Sequence, residues 1–308
     1  MARKKRHHYI PVFYLKGFID PYNKPYIWAY EKGNSRIIKA TAENLAVKEH
    51  YYSFPTPDGE KDTETFEYML HAVENTTAPV IRKIKNNESL SDQERADFSL
   101  FLGIMMTRVP GYRQKVEKMT ADFIRRMNKF MACNPEILKA EIEKWEEDSG
   151  EKMDIPIEDL RKFIIDDEYN IEIKPYFSLG FVRLANDFAP IFFNMKWAFY
   201  RATDDYKFVT SDSPLFFTDP THDPNSFYGV GLANKNVEIT FPISKDLSLV
   251  ATWKGIEGYV QCKNRQVKEI TRRTVLSAAR FVYASRKSEV LNRLVQKYKG
   301  IAPRIEVK

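Results

Sequence analysis

The 308-residue chain carries 48 basic and 42 acidic residues, a net charge of +6, and 43% of its residues are hydrophobic, with 21 Phe and 17 Tyr. This apolar fraction excludes a disordered chain. The positive charge favours polyanionic partners such as nucleic acid, although the acidic residues are mixed among the basic ones. Two widely separated cysteines, Cys133 and Cys262, exclude a disulfide scaffold and a structural zinc site.

No stretch of the sequence reaches the roughly 18 consecutive apolar residues of a membrane span. The basic start "MARKKRHHYIP" lacks the apolar segment of a secretory signal, because histidines and a proline interrupt it. We therefore expect a cytoplasmic protein without a membrane partner.

The first structured segments read as short strands. "YIWAY" and "RIIKA" are rich in aromatic and branched residues, and "EKGNS" between them supplies the glycine and asparagine of a tight turn. The loop "PTPDGEKD" then separates these strands from a helical region.

Helical patterns continue from Thr63 to Met195. A helix is predicted over 63–85, and the next begins with a capping box formed by Ser91 and Glu94. "VPG" at 109–111 predicts a break or kink. Further helices are predicted over 112–131, over 135–148, in "IPIEDLRKFIIDDEYNI" and in "YFSLGFVRLANDFAPIFFNM".

From Lys196 onward, short β-prone runs return in "KWAFYRA", "YKFVTSD", "VEITFPI" and "LSLVATW". A helix, the strand "RFVYAS" and a terminal helix follow. Because strands and helices are segregated along the chain, the sequence predicts a single α+β domain over 1–308. In it, the helical region 63–195 packs on a mixed, mainly antiparallel sheet built from N-terminal and C-terminal strands (1–62 with 196–308).

The opening stretch "RKKRHHYIPVFYLKGF" combines a basic run, two histidines and an apolar segment. On an extended chain His7 and His8 point to opposite faces. In the first interpretation, one imidazole packs while its neighbour is solvated. In the second, one of the two imidazoles serves as an acid/base group, a phosphate donor or a metal ligand. We expect the cations to lie at the mouth of a cleft and "IPVFYLKGF" to anchor the segment in the core.

The predicted helix 63–85 carries Glu64, Glu67, His71 and Glu74 on one face that borders its apolar stripe. For Glu64 and Glu67, acid/base or metal-binding roles and a solvated charged face are equally compatible with the pattern. For His71 and Glu74 the pattern favours the solvated face.

Two further segments carry candidate groups. Arg108 and Arg113 flank the predicted helix break, where a guanidinium either ties the structure together or binds phosphate. Ser211 and Asp212 follow a β-run in "KFVTSDSPLFF", which fits either an accessible site or an ordinary turn.

"HHYIPVFYLKGF", the acidic helix, "RVPGYR" and "FVTSDSPLFF" together resemble the DUF4238 proteins, a mostly bacterial family of undetermined function. The resemblance covers residues 7 to about 285. It implies that His8, Glu64 or Glu67, Arg108, Ser211 and Asp212 belong to one recurring pattern. Family members often carry glutamine where this chain has Met105, so the resemblance implies no polar role at that position.

Histidine, carboxylate and arginine groups from separate segments are the composition of a hydrolytic or phosphoryl-transfer centre. We therefore expect a hydrolase, specifically a metal-dependent nuclease or phosphodiesterase. The expected catalytic residues are His8 as acid/base, Glu67, Arg108 and Asp212; the expected substrate-binding residues are Arg6, His7, Arg113 and Ser211; and the expected ligands of a divalent ion such as Mg²⁺ or Mn²⁺ are Glu64, Glu67 and Asp212.

Three other readings stay open. The first is a non-catalytic module that binds nucleic acid or a partner protein, within a phage-defence or toxin system. The second is a small-molecule enzyme with a pocket between the helices and the sheet. Alternatively, the same polar groups form a buried network that orients the helical region on the sheet.

Overall fold

The computed structural model describes residues 6–174, 176–221 and 230–300. Its α-helices are α1 (Val12–Leu15), α2 (Thr65–Lys85), α3 (Asp92–Thr107), α4 (Pro110–Cys133), α5 (Pro135–Ser149), α6 (Ile157–Ile165), α7 (Ala185–Asn194), α8 (Asn264–Ser277) and α9 (Glu289–Lys297). The predicted aromatic-rich helix before the C-terminal strands divides into a 3-10 segment, Phe177–Leu184, and α7. None of the helices in these ranges combines the length and apolar character needed to cross a membrane.

The strands lie mostly on either side of the helices α2 to α7. They are β1 (Arg6–His8), β2 (Tyr26–Glu31), β3 (Ile37–Thr41), β4 (Val47–Glu49), β5 (Phe54–Pro55), β6 (Lys61–Asp62), β7 (Lys196–Arg201), β8 (Thr210–Ser211), β9 (Phe216–Thr218), β10 (Glu238–Ser244), β11 (Leu247–Thr252), β12 (Gly258–Gln261) and β13 (Phe281–Ala284). The α+β prediction is confirmed. Whether 1–308 forms one domain stays a prediction.

The strands form more than one sheet. A four-stranded sheet has the order β3-β2-β13-β8 and joins N-terminal with C-terminal strands, whereas a five-stranded sheet has the order β12-β7-β11-β10-β9. Strands β1 and β4 pair separately, as do β5 and β6. The pairing of β12 with β7 is parallel, and the other pairs in the described part of the chain are antiparallel. The sheets are therefore mixed and mainly antiparallel, as predicted.

The main core lies between the five-stranded sheet and the helices α2, α3 and α7. Phe98 and Phe101 of α3 are fully buried and pack on Trp197 and Phe241 of the sheet. A second core forms where α8 and α9 cover the four-stranded sheet. Burial of these large apolar side chains is the principal source of stability.

The segment after the two histidines is anchored in the main core, as predicted. Ile10, Leu15 and Phe18 have no exposed surface. The buried Tyr14 hydroxyl donates to the carbonyl oxygen of Pro242 in β10 at 2.6 Å and lies 2.7 Å from the Thr210 hydroxyl of β8. One side chain thus joins the opening segment to both large sheets, which fixes the position of the histidines before it.

Helix α3 begins with the predicted capping box, in which Ser91 and Glu94 exchange hydrogen bonds at 2.9 and 3.3 Å. It ends at Thr107, and Val109 is extended before Pro110 opens α4. The predicted break is therefore present. The proline ring disfavours helical backbone at Val109, which ends the first helix, and its missing N–H is not needed at the first position of the next.

Helix α3 packs so closely on α7 that only glycine fits at position 103. A Cβ there would lie 2.7 Å from the carbonyl oxygen of Ala185. Gly103→Ala is expected to lower the free energy of unfolding by about 2 kcal/mol, because backbone must move to relieve the overlap. Urea denaturation measures this value. Gly180→Ala, at a glycine with open space around it, is the control; equal midpoints for the two variants would contradict the prediction.

Candidate functional site

A cavity of about 350 Å³ opens between the segment that follows β1, helix α2 and the end of α3. Its polar lining consists of His8, Lys16, Glu67, His71, Glu74, Asn75 and Arg108, and its apolar lining consists of Pro11, Val12, Phe13, Leu70 and Ala78. The size falls within the range of small-molecule sites, and a few polar groups on an apolar wall are typical of them. Three residues predicted for the site, His8, Glu67 and Arg108, therefore share one cavity.

Helix α2 supplies one complete wall of the cavity. Its lining residues follow the steps of three and four that place side chains on one helix face, from Glu67 through His71 and Glu74 to Ala78. Glu67 is 8% exposed, so this carboxylate borders the core. The sequence pattern located this face correctly for Glu67.

Arg108 is the structural centre of the site. Its Nε donates to the Tyr52 hydroxyl at 3.0 Å, one terminal nitrogen donates to Glu74 Oε1 at 2.8 Å, and the other donates to the carbonyl oxygen of His8 at 2.7 Å. The side chain is 2% exposed. One buried guanidinium thus ties the opening segment to helix α2, which matches the tying role of the two considered for this residue; its expected catalytic role stays a prediction.

The electrostatics keep this network in one protonation state. Burial works to lower the pKa of Arg108, but neighbouring Tyr52 and Glu74 outweigh it and the pKa lies above its usual value. Burial also raises the pKa of Tyr52. Arg108 therefore stays charged, and the neutral Tyr52 hydroxyl donates to the His8 carbonyl oxygen at 3.2 Å.

The two adjacent histidines have different roles. The His7 ring is fully buried and stacks on Tyr52, and its Nδ1 accepts the Tyr52 backbone N–H at 2.9 Å. His8 lines the cavity, and its Nε2 donates to the carbonyl oxygen of Glu43 at 3.0 Å. With the proton held on Nε2, Nδ1 is the proton acceptor of a neutral His8 ring.

Glu43 positions a second cavity group. Its carboxylate pairs with the Lys16 ammonium at 2.9 Å, and this hydrogen bond lowers the pKa of Glu43. Because the backbone of Glu43 also holds His8, one residue fixes an imidazole and a cation beside the same cavity. Sequence reasoning did not identify Lys16, since a single lysine in an apolar segment carries no pattern.

His71 and Glu74 were expected on a solvated face. For His71 this is confirmed, since its side chain is 54% exposed; for Glu74 it is wrong, because its side chain is 14% exposed and binds Arg108. Its second oxygen, Oε2, lies 3.6 Å from Nδ1 of His71. This separation is longer than a hydrogen bond, so the carboxylate acts on a protonated His71 through its charge. Two histidines from separate segments therefore line the cavity, and the bond to Glu43 orients the ring of His8.

Asp212 does not line the cavity. Its side chain is 3% exposed and accepts the backbone N–H groups of Ala279, Arg280 and Phe281 at 2.8–2.9 Å. Burial raises the pKa of Asp212, while these N–H groups act to lower it. Ser211 is also buried and bonds to the backbone of Ser213 in a turn. The geometry at this segment is that of an ordinary turn fixed to strand β13.

The other predicted site residues lie outside the cavity lining. Arg6 is exposed and bonds to Asn44, and Glu64 is exposed at the start of α2. Arg113 is buried against Tyr51 and donates to Ser178 at 2.8 Å. The cations of residues 3–5, expected at the mouth of the cleft, lie outside the described residues.

The predicted metal ligands are not assembled. Across residues 6–174, 176–221 and 230–300, no group of three or more His, Cys, Asp or Glu side chains is placed to hold a metal ion. Glu64, Glu67 and Asp212 occupy an exposed helix end, the cavity wall and a buried turn, respectively. The described side chains therefore give no support to that ligand set.

Comparisons with known proteins give one result. The family model for DUF4238, described as a protein of unknown function, matches residues 6–288. No curated protein and no solved structure matches the chain. The match includes every residue of the cavity and the turn at Asp212, so the resemblance predicted from the motifs is confirmed. The chain belongs to the DUF4238 family.

Proposed function

We propose that this chain is a hydrolase that cleaves phosphodiester bonds in nucleic acid by acid–base catalysis between His8 and His71. One observation carries the proposal: both imidazoles line a single cavity, and Arg108 binds the His8 carbonyl oxygen and the Glu74 carboxylate beside His71. A pair of histidines held in one frame provides a base and an acid for the two proton transfers of phosphodiester cleavage.

The proposed reaction begins with His71. Its Nε2 takes the proton of the attacking water while Glu74 stabilises the imidazolium that forms. The water oxygen bonds to phosphorus, the bond to the leaving oxygen breaks, and protonated His8 gives that oxygen its proton. The two rings then exchange a proton with solvent and return to their initial states. Glu67 orients the attacking water at the cavity wall.

Charge supports a phosphate-containing substrate. Lys16 is exposed at the cavity and pairs with Glu43; we assign its ammonium to the phosphate oxygens when substrate binds. The whole chain carries a net charge of +6. In this proposal Arg108 is a positioning residue, because its described bonds are made to Tyr52, Glu74 and His8. We place the reaction in the cytosol, since Cys133 and Cys262 are both thiols.

The test is cleavage of end-labelled single-stranded RNA and DNA in the presence of EDTA. His8→Gln and His71→Gln are each expected to lower the rate by about 100-fold or more, because each removes one proton transfer. His8→Gln keeps the backbone carbonyl that binds Arg108, so the fold is retained. Met69→Ala, on the same helix at a 59% exposed residue outside the cavity lining, is the control.

Three results separate the alternatives. If both histidine variants retain cleavage, the cavity is not the site of the reaction. Cleavage abolished by EDTA would restore a role for a divalent ion. Binding that weakens steeply with salt and leaves the nucleic acid intact would identify a non-catalytic binding module, the alternative that the net charge also favours.

A further inference from the structure

Helix α4 presents large apolar side chains to solvent, and none of them lines the cavity. Met119, Phe123, Met127 and Phe130 are 46%, 63%, 43% and 57% exposed, respectively. Isolated exposed apolar residues are ordinary on a protein surface, but a contiguous set marks an interaction site. We call these four side chains the α4 stripe.

The α4 stripe has the spacing of a helix-packing surface. Its residues are separated by four, four and three positions, which aligns them along one side of the helix over about three turns. The other side of α4 packs on α5, α6 and the 3-10 segment. Because the helix is already covered from within the chain, the outward stripe is available to a partner that presents another helix.

The charges of α4 and α5 are opposite. Among its exposed side chains, α4 has two basic residues, Lys118 and Arg126, and no acidic one, whereas α5 has five acidic and two basic residues. Helix α5 follows α4 directly and exposes two apolar residues of its own, Ile137 (40%) and Trp145 (42%). The chain therefore carries both halves of a complementary surface side by side.

We propose that this surface binds a second copy of the chain. In a two-fold arrangement the α4 stripe of one copy packs on the Ile137–Trp145 side of α5 in the other, and the reverse contact forms at the same time. Basic α4 then faces acidic α5 at both contacts. Packing α4 on α4 would instead bring the exposed Lys118 and Arg126 of the two copies together. The proposal is independent of the proposed function, since it uses no cavity residue.

The mass of the full-length chain in solution tests the proposal. Light scattering and sedimentation equilibrium are expected to give twice the 36.1 kDa of one chain. Phe123→Glu is expected to weaken dimerisation by about 30-fold or more, because a carboxylate replaces a central apolar contact. Ile256→Glu, at a 59% exposed residue outside α4 and α5, should leave the mass unchanged.

A charge-swap experiment tests the arrangement itself. Lys118→Glu/Arg126→Glu makes the exposed charges of both helices net acidic, and Glu141→Lys/Glu147→Lys makes the exposed charges of both net basic. Each variant alone is expected to remain monomeric, whereas a mixture of the two is expected to form a heterodimer, because every α4–α5 contact then pairs opposite charges.

Three outcomes would overturn the proposal. The first is a wild-type chain with the mass of a monomer at every concentration. The second is a Phe123→Glu variant that dimerises as well as Ile256→Glu does. The third is a mixture of the charge variants that stays monomeric while the wild type dimerises, which would assign dimerisation to another surface. Circular dichroism melts of each variant establish that it is folded.

Discussion

Arg108→Met lowers the free energy of unfolding by about 3–5 kcal/mol, the expected loss when one partner of a buried ion pair is removed. The loss arises from the polar groups that Arg108 leaves without a partner. The Glu74 carboxylate is 14% exposed and loses its cation, and the Tyr52 hydroxyl and the His8 carbonyl oxygen lose a donor. Methionine fills part of the volume, so the loss reflects unpaired polar groups more than a cavity. Chemical denaturation with and without the substitution measures the difference.

A double variant separates pairing from packing. Arg108→Met/Glu74→Gln is expected to recover about 1 kcal/mol relative to Arg108→Met, because a neutral amide at position 74 is easier to bury than an unpaired carboxylate. Arg183→Met, at an exposed arginine, should change the free energy of unfolding by less than about 0.5 kcal/mol. If Arg108→Met were as stable as Arg183→Met, the central role of Arg108 in the frame would be wrong.

Asp212→Ala is expected to lower the free energy of unfolding by about 4 kcal/mol. Its carboxylate accepts three backbone N–H groups in a buried turn, and alanine leaves all three without that acceptor. The site prediction from sequence required the opposite, a loss of activity with little loss of stability. Denaturation and cleavage assays on the same sample distinguish the two roles.

The expected pattern is a less stable protein whose folded fraction cleaves at the normal rate at low temperature. Asp204→Ala, at an exposed aspartate, is the matched control. An Asp212→Ala variant that is as stable as this control but inactive would return Asp212 to the reaction centre and would contradict the turn-anchoring role.

Local patterns in the sequence predicted the elements well. The Ser91–Glu94 capping box, the break before Pro110 and the antiparallel pair β2–β3 are all present. Each depends on interactions within a few residues, so the sequence contains the whole cause. The parallel pairing of β12 with β7 and the division of the strands into separate sheets depend on contacts between distant segments, which no local pattern records.

The site was predictable only in part, for the same reason. The face of α2 that carries Glu67 follows from helix geometry, and so do the opposite directions of His7 and His8. The partner of Glu74, however, is Arg108, which directly follows α3 and lies 34 positions away in sequence. Asp212 looked like a site residue because a polar residue after a strand serves equally in a turn and in a reaction, and only its three N–H partners decide between them.

The guanidinium of Arg108 binds the backbone carbonyl oxygen of residue 8. This hydrogen bond therefore does not use the side chain at that position. A single substitution at residue 8 could change the side chain that lines the cavity while the hydrogen bond to Arg108 is kept. Residue 8 is thus the position at which new chemistry could evolve, or be engineered, with the smallest loss of stability.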